Sequence, residues 1–303
     1  MTGNLASTAE REIELTHDSK PAYGNNIIGN SWMAPIDIAS LKNAIDDDDA
    51  VMKTIYLYCT GHDPEHASSN NEETPGQWLA IPIDASGWSG WSGIKVIPAM
   101  QAFLIRVSSA TTLTLNYNEA VRTTAAENLN VPLRTPRRKI ESEEAVTLAR
   151  LRVEDSKTHT DLYLFEGERF SDEYDNGWEA NFMPGDGRSA QFYARGVNGK
   201  MAVLATDELE GTKVGFEPGQ EREYTIRVMG SGINYYLNDL KEKKSMLISE
   251  GNTYSFTYEE GDDKATVKYV DGAKGTYSVK LTATTGDKKT EGTATLKIKV
   301  STA

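Results

Sequence analysis

The sequence is short of cysteine, of long apolar runs and of positive charge, and each shortage closes off a class of protein. Only one cysteine, Cys59, occurs in 303 residues. No intrachain disulfide can form, so the fold must be held by buried apolar surface, which a chain of this length can supply. Cys59 ends the strand-like run Ile55-Tyr56-Leu57-Tyr58. Reactive cysteines need an activating partner, and this one reads as a buried structural thiol. No run approaches the roughly 20 apolar residues of a membrane-spanning helix. Met1-Thr2-Gly3-Asn4 is not a basic segment leading into an apolar one, which fits either a cytoplasmic protein or a mature chain whose signal is missing. Lysine and arginine number 32 against 45 acids, a net charge of −13. Phosphate recognition needs a basic surface, so nucleic acid is excluded as a partner.

Catalytic signatures are also missing. The chain has no G-x-S-x-G elbow, no Walker loop, and no G-x-G-x-x-G followed by a helix. Gly185-Asp186-Gly187-Arg188 reads as a turn, because no helix follows to hold a phosphate. Acidic pairs such as Glu143-Glu144 do not make a glycosidase unless they face each other across a cleft. The chain therefore reads as non-enzymatic, with no cofactor.

What is present is β-structure. Leu113, Leu115 and Tyr117 alternate with Thr112, Thr114 and Asn116, the pattern of a half-buried strand. Ala149, Leu151 and Val153 face inward while Arg150 and Arg152 face outward, and Tyr224, Ile226 and Val228 repeat the pattern. Glu12 to Leu15 reads as an edge strand. Further strands are expected at Ile55–Tyr58, Trp78–Ile81, Ile94–Ile97, Phe103–Val107, Gln191–Ala194, Met201–Ala205, Thr212–Phe216, Ile233–Leu237 and Tyr254–Tyr258. Residues Tyr23 to Asn30 read as a turn-rich approach. One short helix is expected after Asp37, which can cap it, with Ile38, Leu41 and Ile45 on one face. It should end before or within Asp46–Asp49, whose charges oppose the helix dipole.

The central stretch runs from Leu162-Tyr163-Leu164-Phe165 through the acidic turn Asp172-Glu173-Tyr174-Asp175-Asn176-Gly177 to Trp178. It reads as the core strand and corner of a second sandwich. Between the halves, Val131-Pro132-Leu133-Arg134-Thr135-Pro136-Arg137-Arg138-Lys139 has no apolar period and reads as an exposed linker. From residue 261 to 303 there are eight lysines and five acids, a local net of +3. Lysines on outward edge positions discourage strand-to-strand aggregation, and Gly286-Asp287-Lys288-Lys289 reads as a hairpin turn. The fold class expected is all-β: tandem antiparallel β-sandwich modules, jelly-roll or Ig-like, with one short helix. The divisions are a first sandwich at 1–122, a linker at 123–145, a second sandwich at 146–260, and a hairpin extension or partial Ig-like module at 261–303.

Three constellations carry possible chemistry. Gly87-Trp88-Ser89-Gly90-Trp91-Ser92-Gly93 sets two tryptophans among small residues. Trp88 and Trp91 are the candidate ligand-binding residues, as stacking platforms for sugar rings; the alternative is that they fold back and pin the loop. His62-Asp63-Pro64-Glu65-His66 has two histidines four apart, but the proline makes it a loop and neither His17 nor His159 supplies an evident third ligand, so no metal site is assigned. Asp172, Asp175 and Asn176 ahead of Gly177 lack EF-hand spacing. They read as a turn bonding its own backbone, with calcium as the open alternative.

Four phrases resemble large cell-surface and secreted β-sandwich proteins of Bacteroides-type bacteria. They are Asn26-Ile27-Ile28-Gly29-Asn30-Ser31-Trp32-Met33-Ala34-Pro35-Ile36-Asp37-Ile38, Ile97-Pro98-Ala99-Met100-Gln101-Ala102-Phe103, Arg169-Phe170-Ser171 with Asp175-Asn176-Gly177-Trp178, and Asn252-Thr253-Tyr254-Ser255-Phe256. The tail, through Gly275-Thr276-Tyr277-Ser278-Val279-Lys280-Leu281-Thr282, is similar to the last strands of generic Ig-like or PKD-type modules. The resemblance implies a non-catalytic extracellular or cell-surface protein for adhesion or scaffolding, whose partner is a host or neighbouring-cell glycan or protein. It transfers no role to any residue. A carbohydrate-binding module is the alternative, and a glycoside-processing enzyme the third reading.

Overall fold

A computed structural model describes residues 9–18, 24–45, 48–59, 76–117, 146–185, 187–239 and 243–258, together with the backbone of strands at 266–271, 276–285 and 288–297. The linker region 123–145, the His62–His66 loop, Asp46, Asp47 and the 286–287 turn lie outside the described residues. Strand makes up 53% of the structure and helix 7%, so the all-β sandwich class holds.

The N-terminal half packs two antiparallel sheets around one core. β1 (Glu10–Leu15) pairs with β8 (Thr111–Asn116), bringing Ile13 opposite Leu113. The facing sheet runs β2 (Asn25–Gly29), β7 (Ala102–Val107), β4 (Val51–Cys59), β5 (Gln77–Pro82). A short ladder of β3 (Ile36–Asp37) and β6 (Val96–Ile97) closes one end. The expected helix forms as a 3₁₀ turn (Ala39–Leu41) running into α1 (Lys42–Ile45). The Asp37 carboxylate accepts the Ala39 N–H at 3.2 Å, and Ile38, Leu41 and Ile45 are all buried. A second helix, α2 (Ile83–Gly87), was not expected; five residues are too few to show a helical period.

The C-terminal half is built on one large sheet. Its strands are β9 (Thr147–Glu154), β10 (His159–Glu166), β11 (Ala180–Asn181), β12 (Gln191–Gly196), β13 (Gly199–Thr206), β14 (Lys213–Glu217), β15 (Glu223–Ser231), β16 (Tyr235–Asp239), β17 (Lys244–Leu247), β18 (Thr253–Thr257) and β19 (Thr266–Asp271). They lie in the order β17-β16-β19-β14-β12-β13-β10-β9-β15-β18, with β11 also on β13, and only β10 and β13 run parallel. The sheet rolls over, because Phe216 on β14 meets Tyr224 on β15 at 4.8 Å and Phe256 on β18 at 5.0 Å, both edge-on. Beyond it, β20 (Thr276–Thr285) and β21 (Lys288–Lys297) form a two-stranded hairpin.

β10 explains how the halves join. Successive side chains on a strand point to opposite faces. Leu162 and Leu164 enter the core inside the rolled sheet, while Tyr163 and Phe165 enter the core of the N-terminal sandwich. The strand is therefore apolar without a break from Leu162 to Phe165, as strands covered on both sides are.

Candidate functional site

The acidic turn after β10 is the socket into which the N-terminal half docks. Its own shape comes from local bonds. The Asp175 carboxylate accepts the Ser171 N–H at 3.2 Å, and the Asp175 carbonyl accepts the N–H groups of Trp178 (3.0 Å) and Glu179 (2.9 Å). Asn176 Oδ1 accepts the Lys53 N–H from β4 at 2.8 Å. Gly177, at φ 105°, turns its carbonyl toward the first turn of α2, where the N–H groups of Asp84 and Ala85 each donate to it at 3.0 Å. Only glycine fits here: a Cβ would stand 2.3 Å from the Asp84 carboxylate, in a backbone conformation that other residues avoid. Asp84 is itself held by Lys42 Nζ at 2.7 Å.

Asp172 is exposed, and Asp175 and Asn176 spend acceptor oxygens on backbone N–H groups. Among the described residues, no three His, Cys, Asp or Glu side chains stand together as a metal site.

Around this socket lies an aromatic cluster drawn from both halves. Phe165, fully buried, meets Trp88 at 5.7 Å, Trp91 at 6.2 Å, Phe170 at 6.3 Å and Trp178 at 5.4 Å between ring centroids. Trp91 stacks on Tyr163 at 4.5 Å and donates its indole N–H to the Ile94 carbonyl at 3.1 Å. The Arg169 guanidinium caps the cluster 4.6 Å above Trp178. Both tryptophans singled out in the sequence thus sit at the joint: Trp91 is buried, and Trp88 is half-buried against Phe165 and Trp178. Offset and edge-on ring pairs contribute about 0.5–1.5 kcal/mol each beyond the area they bury.

A polar seam completes the joint. Thr54 Oγ1 donates to the Glu179 carbonyl at 3.3 Å and Tyr56 to the Asn181 carbonyl at 3.1 Å. Buried Gln77 receives the Thr160 hydroxyl at 2.7 Å and donates to the His159 carbonyl. Glu179 lies beneath, accepting the N–H groups of Asp175 (3.1 Å) and Ala205 (3.2 Å). Burial pushes its carboxyl up to about 7, against the pull of those two bonds. Nothing in the sequence marks Glu179; it is one glutamate in an acidic chain.

Beside the aromatic cluster the halves leave a cleft of about 360 Å³. Its charged floor is Asp161 of β10 between Arg150 and Arg152 of β9, at 2.6 Å and 2.7 Å. Desolvation raises the Asp161 carboxyl, but the two guanidiniums win and hold it below its usual range. Arg150 also donates to the Ser92 carbonyl at 3.2 Å, tying β9 to the tryptophan loop. The arginines lie on the outward face, as the alternation predicts; what they face is the other half of the chain. Trp78, Trp91 and Phe182 wall the cleft. Cys59 is half-buried, and burial pushes its thiol up, away from the reactive thiolate.

Among curated proteins the chain is similar to the minor fimbrium subunit Mfa5 of Porphyromonas gingivalis. The two are 28% identical over 266 residues, which cover 84% of this chain and 21% of that protein. The chain therefore spans about a fifth of the length of that relative. No family model matches the chain, and no solved structure matches it.

Proposed function

We propose that the chain is a non-catalytic module of a bacterial cell-surface protein, acting outside the cell in adhesion or scaffolding. The observation that carries this reading is the similarity to a fimbrial subunit, which runs through both halves of the fold rather than along one sandwich. The joint itself adds support. Aromatic packing, a glycine socket and buried hydrogen bonds suit a rigid spacer, and among the described residues no helix is long and apolar enough to cross a membrane. Its partners on this reading are proteins of the same assembly or of a neighbouring cell. Immunogold labelling of intact producing cells with antibody to this chain is the test. Label on surface filaments or the outer surface is expected, and label confined to lysed cells would refute the proposal.

A second reading, carbohydrate binding through Trp88 and Trp91, draws support from the cleft that Trp91 walls. The sandwich divisions 1–122, 146–260 and 261–303 belong to the same proposal, with 123–145 as the linker.

A further inference from the structure

We infer that the cleft between the two halves binds an acidic sugar, a ring bearing a carboxylate, received against the Trp78 indole and held by the Arg150–Arg152 pair. This builds on the carbohydrate reading and moves its centre from the Trp88 and Trp91 rings, which pack into the joint, to the opening beside them. Two guanidiniums face one carboxylate on the cleft floor, leaving a formal charge of +1 there in a chain of −13. The Asp161 side chain is only 7% exposed, so it offers little to a ligand; its work is to fix the planes of both arginines. The arginine side chains keep 19% and 15% of their surface open. Arg152 uses Nε and one terminal nitrogen on Asp161. Its other terminal nitrogen has no acceptor among the described residues, and a planar guanidinium with open donors is suited to a carboxylate.

The apolar wall fits the rest of such a ligand. Trp78 on β5 is half-buried, and Tyr58 meets it edge-on at 5.0 Å, fixing its plane. Half-buried Phe182 lines the same cleft. A volume of about 360 Å³ lies at the small end of ligand sites, with room for a ring rather than for a carboxylate alone. A partner's acidic side chain would satisfy the arginines but leave Trp78 and Phe182 uncovered, which favours the sugar.

The test is saturation-transfer NMR and calorimetry on the whole chain with glucuronate, with glucose as the neutral match and N-acetylglutamate as the peptide-like acid. Glucuronate is expected to bind at least tenfold more tightly than glucose, which lacks the charge that the arginines hold, and than N-acetylglutamate, which lacks the ring that covers Trp78 and Phe182. Arg152→Gln should weaken glucuronate about tenfold and leave glucose unchanged, and Trp78→Ala should weaken both. Should Arg152→Gln fail to fold by circular dichroism, the comparison of ligands on the unaltered chain and Trp78→Ala still decide. Equal binding of glucuronate and glucose overturns the acidic-sugar assignment while leaving carbohydrate binding standing. N-acetylglutamate binding as tightly as glucuronate overturns it in favour of an acidic peptide. No sugar binding at all overturns both readings.

Discussion

Raising the pH should loosen the joint, through Glu179. The residue is only 5% exposed and sits where β11, β13 and the acidic turn meet the N-terminal half. Burial raises its carboxyl from 4.5 to about 7, the Asp175 carboxylate adds to the rise, and two backbone N–H groups oppose it. In the unfolded chain the proton leaves near 4.5, so between there and about 7 the folded state holds a proton that the unfolded state has lost. Stability from this group is full below the unfolded value and falls as the pH climbs through the folded one. At about 1.4 kcal/mol per unit the full effect of a rise from 4.5 to about 7 would be roughly 3.5 kcal/mol. Residual solvent access to the carboxyl trims it to about 2 kcal/mol. Urea unfolding of the parent and of Glu179→Gln, at pH 4 and pH 8, isolates the effect because all other titrations cancel in the difference. The variant carries a constant penalty for turning an amide N–H toward a backbone donor. It should nevertheless gain about 2 kcal/mol on the parent between the two pH values. Curves that stay parallel to within about 0.5 kcal/mol would refute the reasoning.

Two further substitutions probe the same joint. Gly177→Ala should cost about 2–4 kcal/mol in urea unfolding, combining the left-handed backbone penalty with weakened donation from α2; a loss below 1 kcal/mol would mean that the Asp84 side chain simply steps aside. Phe165→Ala empties the middle of the aromatic cluster and should cost about 3–5 kcal/mol. It should also change the near-ultraviolet dichroism of Trp88, Trp91 and Trp178, and an unaltered spectrum would place the tryptophans elsewhere.

Much of the fold was legible because alternation is a direct record of one buried face. Leu113 and Leu115 on β8, Leu151 and Val153 on β9, and Ile226 and Val228 on β15 are all buried, as their spacing says. The helix after Asp37 was legible from its cap and apolar face. Other elements left no such record. β2 hides among Gly24, Asn25 and Asn26, residues that favour turns, yet Asn26 uses its side chain to bond Thr16 while its backbone pairs with β7. The strand expected at Ile94–Ile97 shortens to Val96–Ile97, since β3 gives it only two partners. In the sequence the stretch from Leu162 to Trp178 reads as the core strand and corner of the second sandwich alone. A continuous apolar run signals burial on both faces but cannot say what covers each, and here the second cover is the other half of the chain. For the same reason the cleft was invisible: Arg150, Arg152 and Asp161 are ordinary outward charges until β5 and the tryptophan loop are laid across them.

The two-faced strand β10 also bears on how the chain is made. The core of the N-terminal sandwich includes Tyr163, Phe165, Phe170, Ala180, Ala202, Val203 and Ala205, all of which lie well downstream of β8. A ribosome delivers the segment from β1 through β8 with that core unfinished and its apolar inner wall facing water. Completion waits until β13 has emerged, at a pace of roughly 5–20 residues per second. During that interval the nascent segment is open to chaperones that recognise unfolded chain.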